Sequence, residues 1–277
     1  MRYGQQLSEL TALQRLAHVA TLGAVLVACM SAGTVQAQGS TARSASVLEE
    51  IAAGDKSNSA RAPREALLHF EAALRAEARN YTALWRASGD AIDLGESEAN
   101  RKRRDSLYTM GAAYARRALD VEPDGADANF AMARALGRTA LSASARDRVK
   151  FGAEVRTLAL KALAADPRHA GAMHVMGVWN AEIMRLNSVV RLLAKALPGG
   201  AVFGQANWAS AEKYLLAAVA IDPTRTVHRL DLARVYRDSG RAGEARAAYN
   251  AAIKCPLVDA NDELYKQTAA DELRALR

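Results

Sequence analysis

Residues 226–259, TVHRLDLARVYRDSGRAGEARAAYNAAIKCPLVD, leave the chain few ways to fold. Two stretches of helix length flank Gly240, and the proline Pro256 stands only after the second of them. Small side chains recur at Ala233, Ala245 and Ala252, with Leu232, Tyr236 and Tyr249 beside them. Alanine ends at Cβ, so helices that meet through such positions approach closely while the larger neighbours fill the space alongside. Gly240 suits the turn between them, because helices often end on a residue with left-handed backbone. The stretch reads as an antiparallel helix pair. One such pair cannot bury its own apolar face, so copies of it are expected next to it.

Degenerate copies precede it in phase. Second-helix patterns stand at Ala211, Leu215 and Ala218 before Asp222-Pro223, at Ala159 and Ala162 before Asp166-Pro167, and at Gly111, Ala115 and Ala118 before Glu122-Pro123. The first copy is Ala66, Phe70 and Ala73, with Ala78 where the others have proline. Proline disfavours a helical residue before it and suits a first helical turn. Each acid–proline pair is therefore expected to end one helix and open the next. First helices then fall over 84–91, 129–136, 173–180 and 229–236. The sequence is 50% hydrophobic but only 5% aromatic, and its six prolines lie between the periodic segments. Ala, Leu, Arg and Glu favour helix. The fold class expected is all-α.

The spacing is uneven. Pro167 follows Pro123 by 44 residues and Pro223 follows Pro167 by 56, against about 34 for a plain helix-pair repeat. The longer interval holds Leu186, Val189, Val190, Leu193 and Leu197 at helical spacing, with Arg185, Arg191 and Lys195 mostly off the stripe. Pro198-Gly199-Gly200 ends it. The first helix of this unit is expected to continue or bend into an amphipathic extension whose stripe packs on a neighbouring repeat. The alternative is an exposed amphipathic helix resting on a membrane.

The residues of 226–259 match the tetratricopeptide (TPR) pattern at every major position except the final proline, where Pro256 sits one residue early. Gly177-Val178-Trp179, the apolar-basic extension through Lys195, Ala211-Glu212-Lys213-Tyr214, Asp222-Pro223 and the closing repeat together resemble the C-terminal half of the regulator of microtubule dynamics family, as a bacterial relative. The resemblance is strongest over residues 160–270. It implies a right-handed TPR-like helical solenoid of about four to five helix pairs with an inserted helix near 184–197, acting by binding. In TPR arrays the first helices line a concave groove. The resemblance then puts Trp85, Phe130, His174 and Leu230 at the fifth positions facing that groove, Gly89, Arg134, Val178 and Arg234 at the ninth, and Arg237 at a twelfth. Such a groove suits an extended peptide with apolar anchors and acidic groups. A segment of the chain itself is the alternative occupant.

At the N-terminus Arg2 and Arg15 precede the apolar stretch 19–30, and Val35-Gln36-Ala37 offers a small-residue cleavage site. Residues 1–37 are expected to be a signal peptide. The alternative is a lipoprotein signal ending before Cys29, since Leu26-Val27-Ala28-Cys29 resembles a lipobox. Residues 38–60 are expected as a flexible linker carrying one loosely held helix, and 61–277 as the TPR-like domain. The expected location is the periplasm, or a membrane anchor through Cys29. No transmembrane span is expected in the mature chain, though peripheral membrane contact stays open. Cys255 would be the remaining thiol, packed and inert.

No phosphate-binding loop, nucleophile elbow or zinc-protease motif occurs. His169 and His174 stand five apart, outside metal-ligating spacing, and no catalytic residue, cofactor or metal site is expected. The net charge is +7. Its densest run, Arg101-Lys102-Arg103-Arg104, lacks interleaved aromatics, so nucleic acid is not an expected partner. The sequence points to a non-catalytic adaptor or scaffold of the bacterial envelope that binds a protein or peptide in its groove. A structural subunit of an envelope complex using the convex face, or an envelope enzyme with an unrecognised site, are the alternatives.

Overall fold

A computed structural model describes residues 44–140 and 142–276. The expected leader and Cys29 lie outside them. The chain divides after Glu49 into two units. Of the first, the described residues, 44–49, are helical. The second, residues 50–277, is an all-α helical solenoid, and no strand occurs among the described residues.

Helix α1 spans 44–59 and runs through most of the stretch expected as a linker. Within the second unit it is tied down. Gly54 lets the Phe70 ring approach to where a Cβ would stand 2.5 Å from it, and Asp55 accepts from Arg86. The helices that follow are α2 (Pro63–Ala76), α3 (Tyr81–Ser97), α4 (Arg101–Val121), α5 (Ala126–Ala140), α6 (Ala145–Ala165), α7 (Ala170–Arg185) and α8 (Ser188–Ala196). A 3-10 turn (Gly200–Gln205) then leads to α9 (Trp208–Ile221), α10 (Thr226–Asp238), α11 (Ala242–Lys254) and α12 (Asp262–Ala275).

Four hairpins form the array: α3 with α4, α5 with α6, α7 with α9, and α10 with α11. The first helices α3, α5, α7 and α10 also touch in that order, and so make an inner layer. Every small residue of the second-helix pattern is sealed: Ala66, Ala73, Ala115, Ala118, Ala159, Ala162, Ala211, Ala218, Ala245 and Ala252 all have no exposed surface. Phe70, Leu215 and Tyr249 fill the gaps between them, completely buried. Burying a side chain of that size contributes about 1.5–3 kcal/mol. The paired alanines are what allow the helices to come close enough for it.

The turns between hairpins share one geometry. The backbone N–H groups of Glu77, Glu122, Asp166 and Asp222 reach back to the carbonyls of Ala73, Ala118, Ala162 and Ala218. Three residues later Asn80, Gly125 and His169 close a turn onto Glu77, Glu122 and Asp166 at 3.0–3.1 Å. The prolines do not open the next helix, as the sequence led one to expect. Pro123, Pro167 and Pro223 occupy the turn itself, and the helices begin at Ala126, Ala170 and Thr226. A fixed φ serves the first corner of such a turn equally well.

The long spacings have two sources. Helices α4 and α6 run 21 residues each, against 14 and 13 for α9 and α11. The remainder is the insert. Helix α7 stops at Arg185, and Asn187 caps a separate α8 by accepting from Val190 N–H at 2.9 Å. The aliphatic stripe packs only in part: Val189, Val190 and Leu193 are 65%, 43% and 63% exposed, while Leu197 is partly buried against the core that holds Trp179 and Phe203, and Ala194 is the buried residue of the helix. The turn after α8 anchors the insert instead. Phe203 meets Trp179 edge to face at 6.0 Å, and Trp179 Nε1 donates to the Gly152 carbonyl at 2.7 Å.

Candidate binding groove

The inner layer brings together four of the residues expected to face a groove, Trp85, Gly89, Phe130 and Arg134. Trp85 and Gly89 from α3, and Phe130 and Arg134 from α5, line a cleft of about 540 Å³. Asp55 and Asn58 of α1 and Val258, Asp259 and Ala260 of the segment after α11 also line it. Phe130 is positioned by a glycine: its ring lies where a Cβ on Gly171 would stand 2.5 Å away. His169 stacks against the same ring at 4.7 Å. Arg86 rests over Trp85 with 4.8 Å between guanidinium and ring centre, a cation–π arrangement.

Arg134 is not free to receive a ligand. It bonds Asp93 at 2.5 Å and Glu96 at 2.9 Å, and Arg138 reaches the same Glu96 at 2.8 Å. Burial works to raise the Glu96 carboxyl, but the two arginines outweigh it and hold it below its ordinary value. Burial wins at Asp93, which is raised despite Arg134.

Three other expected groove residues, Leu230, Arg234 and Arg237, face the chain's own C-terminal helix. Arg234 Nη2 bonds Glu272 of α12 at 2.6 Å and Arg237 Nη1 bonds it at 2.9 Å. The Tyr249 hydroxyl donates to Glu272 at 2.7 Å. Burial works to raise the Glu272 carboxyl, and these donors, Arg234 foremost, bring it below normal. His174 Nε2 meets Asp231 at 3.2 Å, and Asp231 also bonds Arg234. Leu230 belongs to a core with Ala233, Tyr249, Ala252 and Ala269, so it lines no groove. Its fifth position points at α12, which covers it.

The segment from Cys255 to α12 crosses from α11 back to α3. Asn261 Nδ2 donates to the Asp93 carbonyl at 3.0 Å, the Tyr265 hydroxyl donates to Glu96, and Asp259 pairs with Arg225 at 2.5 Å. Asp262 fixes the loop by accepting from the backbone of Val258 and Asp259 at 2.7 and 2.6 Å. The distal half of the groove thus holds the chain's own helix, and the open half is the Trp85–Phe130 cleft.

Two residues of this cleft escaped the sequence reading. Asp90 is 3% exposed, and its Oδ2 finds no hydrogen-bond partner among the described residues; Ser88 Oγ is likewise buried and unpartnered. Burial foremost, and the nearby Asp93 charge, push the Asp90 carboxyl up to about 8, while Asn58, Arg134 and Arg86 pull the other way. The signal was present: Asp90 lies three residues after Ala87, on the apolar face of α3. Elsewhere, Cys255 is a buried thiol, as expected. Among the described residues no group of three or more His, Cys, Asp or Glu could hold a metal ion, and no helix is long and apolar enough to cross a membrane.

Comparison with solved structures places the fold. The chain is similar to TTC0263, a thermophilic TPR protein of Thermus thermophilus, with a TM-score of 0.58 and 20% identity over 81% of this chain and 98% of that one. It is also similar to MamA, with a TM-score of 0.42 and 13% identity over 80% and 94% of the two chains. No curated protein matches the sequence. Residues 44–277 match the family described as Regulator of microtubule dynamics protein 1-3, and the chain belongs to that family.

Proposed function

We propose that the protein is a non-catalytic adaptor of the bacterial envelope that binds a peptide or protein through the open half of its concave groove. The observation that carries this reading is the cleft at Trp85 and Phe130. It is concave, walled by two half-buried aromatic rings, and built on the rigid inner helices of a helical-repeat scaffold. The closed distal half narrows the binding surface to this cleft, since Arg234 and Arg237 are occupied by Glu272. An envelope location is supported by the basic-then-apolar residues 1–37 of the sequence.

The test is affinity capture of the tagged full chain from a crosslinked envelope fraction, beside a Trp85→Ala, Phe130→Ala variant. Both residues are half-buried, so the variant is first checked for an unchanged helical circular dichroism spectrum. A partner captured by the wild type and lost by the folded variant is the expected result. Equal capture by both moves the binding surface elsewhere.

A second reading rests on α8. Its exposed Val189, Leu192 and Leu193 offer an apolar strip on an inserted element, the kind of surface a structural subunit uses against a neighbour. Capture that survives the groove variant and is lost on replacing these three side chains with serine supports it.

A further inference from the structure

One carboxyl group of the Trp85–Phe130 cleft has no arginine partner. Four carboxyl groups line it, Asp55, Asp90, Asp93 and Asp259, against three guanidinium groups, Arg86, Arg134 and Arg225. Each arginine is committed to an acid other than Asp90: Arg86 to Asp55, Arg134 to Asp93, Arg225 to Asp259. Asp90 is the remainder. Its Oδ2 is buried with no hydrogen-bond partner among the described residues, as is the Ser88 Oγ two positions earlier on α3. A buried acceptor left unpaired costs about 1–3 kcal/mol, and such a cost at a concave site points to a ligand that supplies the donor. The third orphan of the cleft is of opposite kind. Arg86 Nε is a buried donor with no acceptor among the described residues.

The Asp90 and Arg86 orphans describe a ligand that carries a donating cation and an acceptor oxygen, and has an aliphatic stem to lie between rings. A lysine or arginine residue within a peptide is such a ligand. Its ammonium offers three donors, or its guanidinium five, and its backbone carbonyl supplies the acceptor. The cleft already shows the arrangement once: the Arg86 guanidinium rests over Trp85 and is tied to Asp55.

We propose that the Trp85–Phe130 cleft is a pocket for one basic residue of a peptide, with the cationic head at Asp90 and the carbonyl oxygen at Arg86 Nε. This rests on the adaptor reading and names the chemistry of its partner. It reverses the expectation from the sequence, in which groove arginines would have drawn an acidic peptide. Filling the pocket requires an ionised Asp90. Since burial holds that carboxyl up to about 8, binding at pH 7 releases a proton.

The test is calorimetric titration of the full chain with acetyl-arginine amide, acetyl-citrulline amide and propylguanidine. Citrulline is the neutral isostere, and propylguanidine keeps the guanidinium and its stem without the carbonyl groups. The arginine amide is expected to bind about tenfold or more tightly than the citrulline amide, the effect of one hydrogen bond to a charged group. Asp90→Asn is expected to remove that preference, and the proton release at pH 7 seen in buffers of different ionisation enthalpy is expected to vanish with it. Because Asp90→Asn also relieves a buried carboxyl, a melting temperature at pH 8 no lower than wild type shows that the variant is folded. Equal binding of arginine and citrulline amides, an undiminished preference in Asp90→Asn, or no binding of the arginine amide overturns the proposal. Propylguanidine binding as tightly as the arginine amide overturns the peptide source and leaves a free organic cation. A partner captured by wild type and by Asp90→Asn, but lost by the aromatic variant, sinks this inference while the adaptor reading stands.

Discussion

Two buried ionisable residues should give the molecule opposing pH responses. His228 is 4% exposed on α10, with its Nδ1 3.0 Å from His174 Nδ1. Burial, then the His174 charge, then Arg225 and Arg229 push its imidazole down to about 2, with Asp231 working the other way. The unfolded imidazole binds a proton below about 6.5 and the folded one does not. Stability held through neutral His228 is therefore complete above pH 6.5 and falls as pH drops, by up to about 1.4 kcal/mol per pH unit. Asp90 runs the other way. Its folded carboxyl keeps a proton up to about 8 that the unfolded chain gives up near 3.8, so its contribution is lost as pH rises between those values. Over pH ~4–6.5 the two slopes offset each other. Urea midpoints should then be nearly flat in that window for wild type, fall with rising pH in His228→Gln, and rise with it in Asp90→Asn. Parallel curves for all three proteins would show that neither group is perturbed. Glycines supply a second contrast. A Cβ at Gly177 would stand 2.5 Å from Leu215 Cγ and 3.2 Å from the Ala211 carbonyl. Gly177→Ala should cost about 1–3 kcal/mol despite alanine's helix preference. Gly89 has nothing within 4 Å of that position, so Gly89→Ala should gain about 0.5–1 kcal/mol in the same denaturation measurement. What sequence could show at this scale follows from the physics. Gly177 and the alanines must be small wherever helices meet, so their type declares their place. Leu230 and Arg234 sit where a groove residue should, and only the docking of α12 makes one of them core and the other an internal ion-pair donor.

Among the elements, those with a repeated local cause were legible and those held by distant contacts were not. The four hairpins follow from small residues at fixed spacing and from turns closed within a few residues, as at Glu122 to Gly125. Helix α8 was legible as a helix for the same local reasons, including its Asn187 cap. Its partner was not, because amphipathicity states that a face is apolar and not what covers it. Most of the stripe turned out exposed, and that has a measurable consequence. A Val189→Ser, Leu193→Ser variant removes two stripe residues that are 65% and 63% exposed, so its unfolding free energy should match wild type within about 0.5 kcal/mol. A buried pair of leucines would cost several times more on truncation. Loss of more than about 2 kcal/mol would mean that the stripe is covered in solution, by another segment or by a second copy. Phe203→Ala is the control within the same insert. Its ring is buried against Trp179, and its removal should cost about 3–5 kcal/mol.

At the scale of the second unit, the C-terminal segment changes what a repeat array ordinarily does. In a linear solenoid each repeat touches only its neighbours, so terminal repeats open independently of the rest. Here Asn261 and Tyr265 reach α3, where they bond the Asp93 carbonyl and Glu96, while Glu272 on the same segment holds Arg234 and Arg237 of α10. Glu96 in turn holds Arg134 and Arg138 of α5. An opening of α10–α12 must therefore break buried contacts with α3 and strip partners from a carboxylate that is 5% exposed. Hydrogen exchange should find the amides of α3, α10 and α11 protected to a similar free energy, as one cooperative unit. Removing the link with Asn261→Ala, Tyr265→Phe should lower the opening free energy of α10–α12 by about 1–3 kcal/mol and leave α6 unchanged. If α10–α12 already opens below α3 in wild type, the crossing segment does not couple the ends. The same segment contributes Val258, Asp259 and Ala260 to the wall of the binding cleft. A ligand seated between Trp85 and Asp90 then contacts both sides of the closure, and its binding energy adds to the link. Acetyl-arginine amide should accordingly raise the protection of α10–α12 in wild type along with that of α3, and in the Asn261→Ala, Tyr265→Phe protein should protect α3 more than α10–α12.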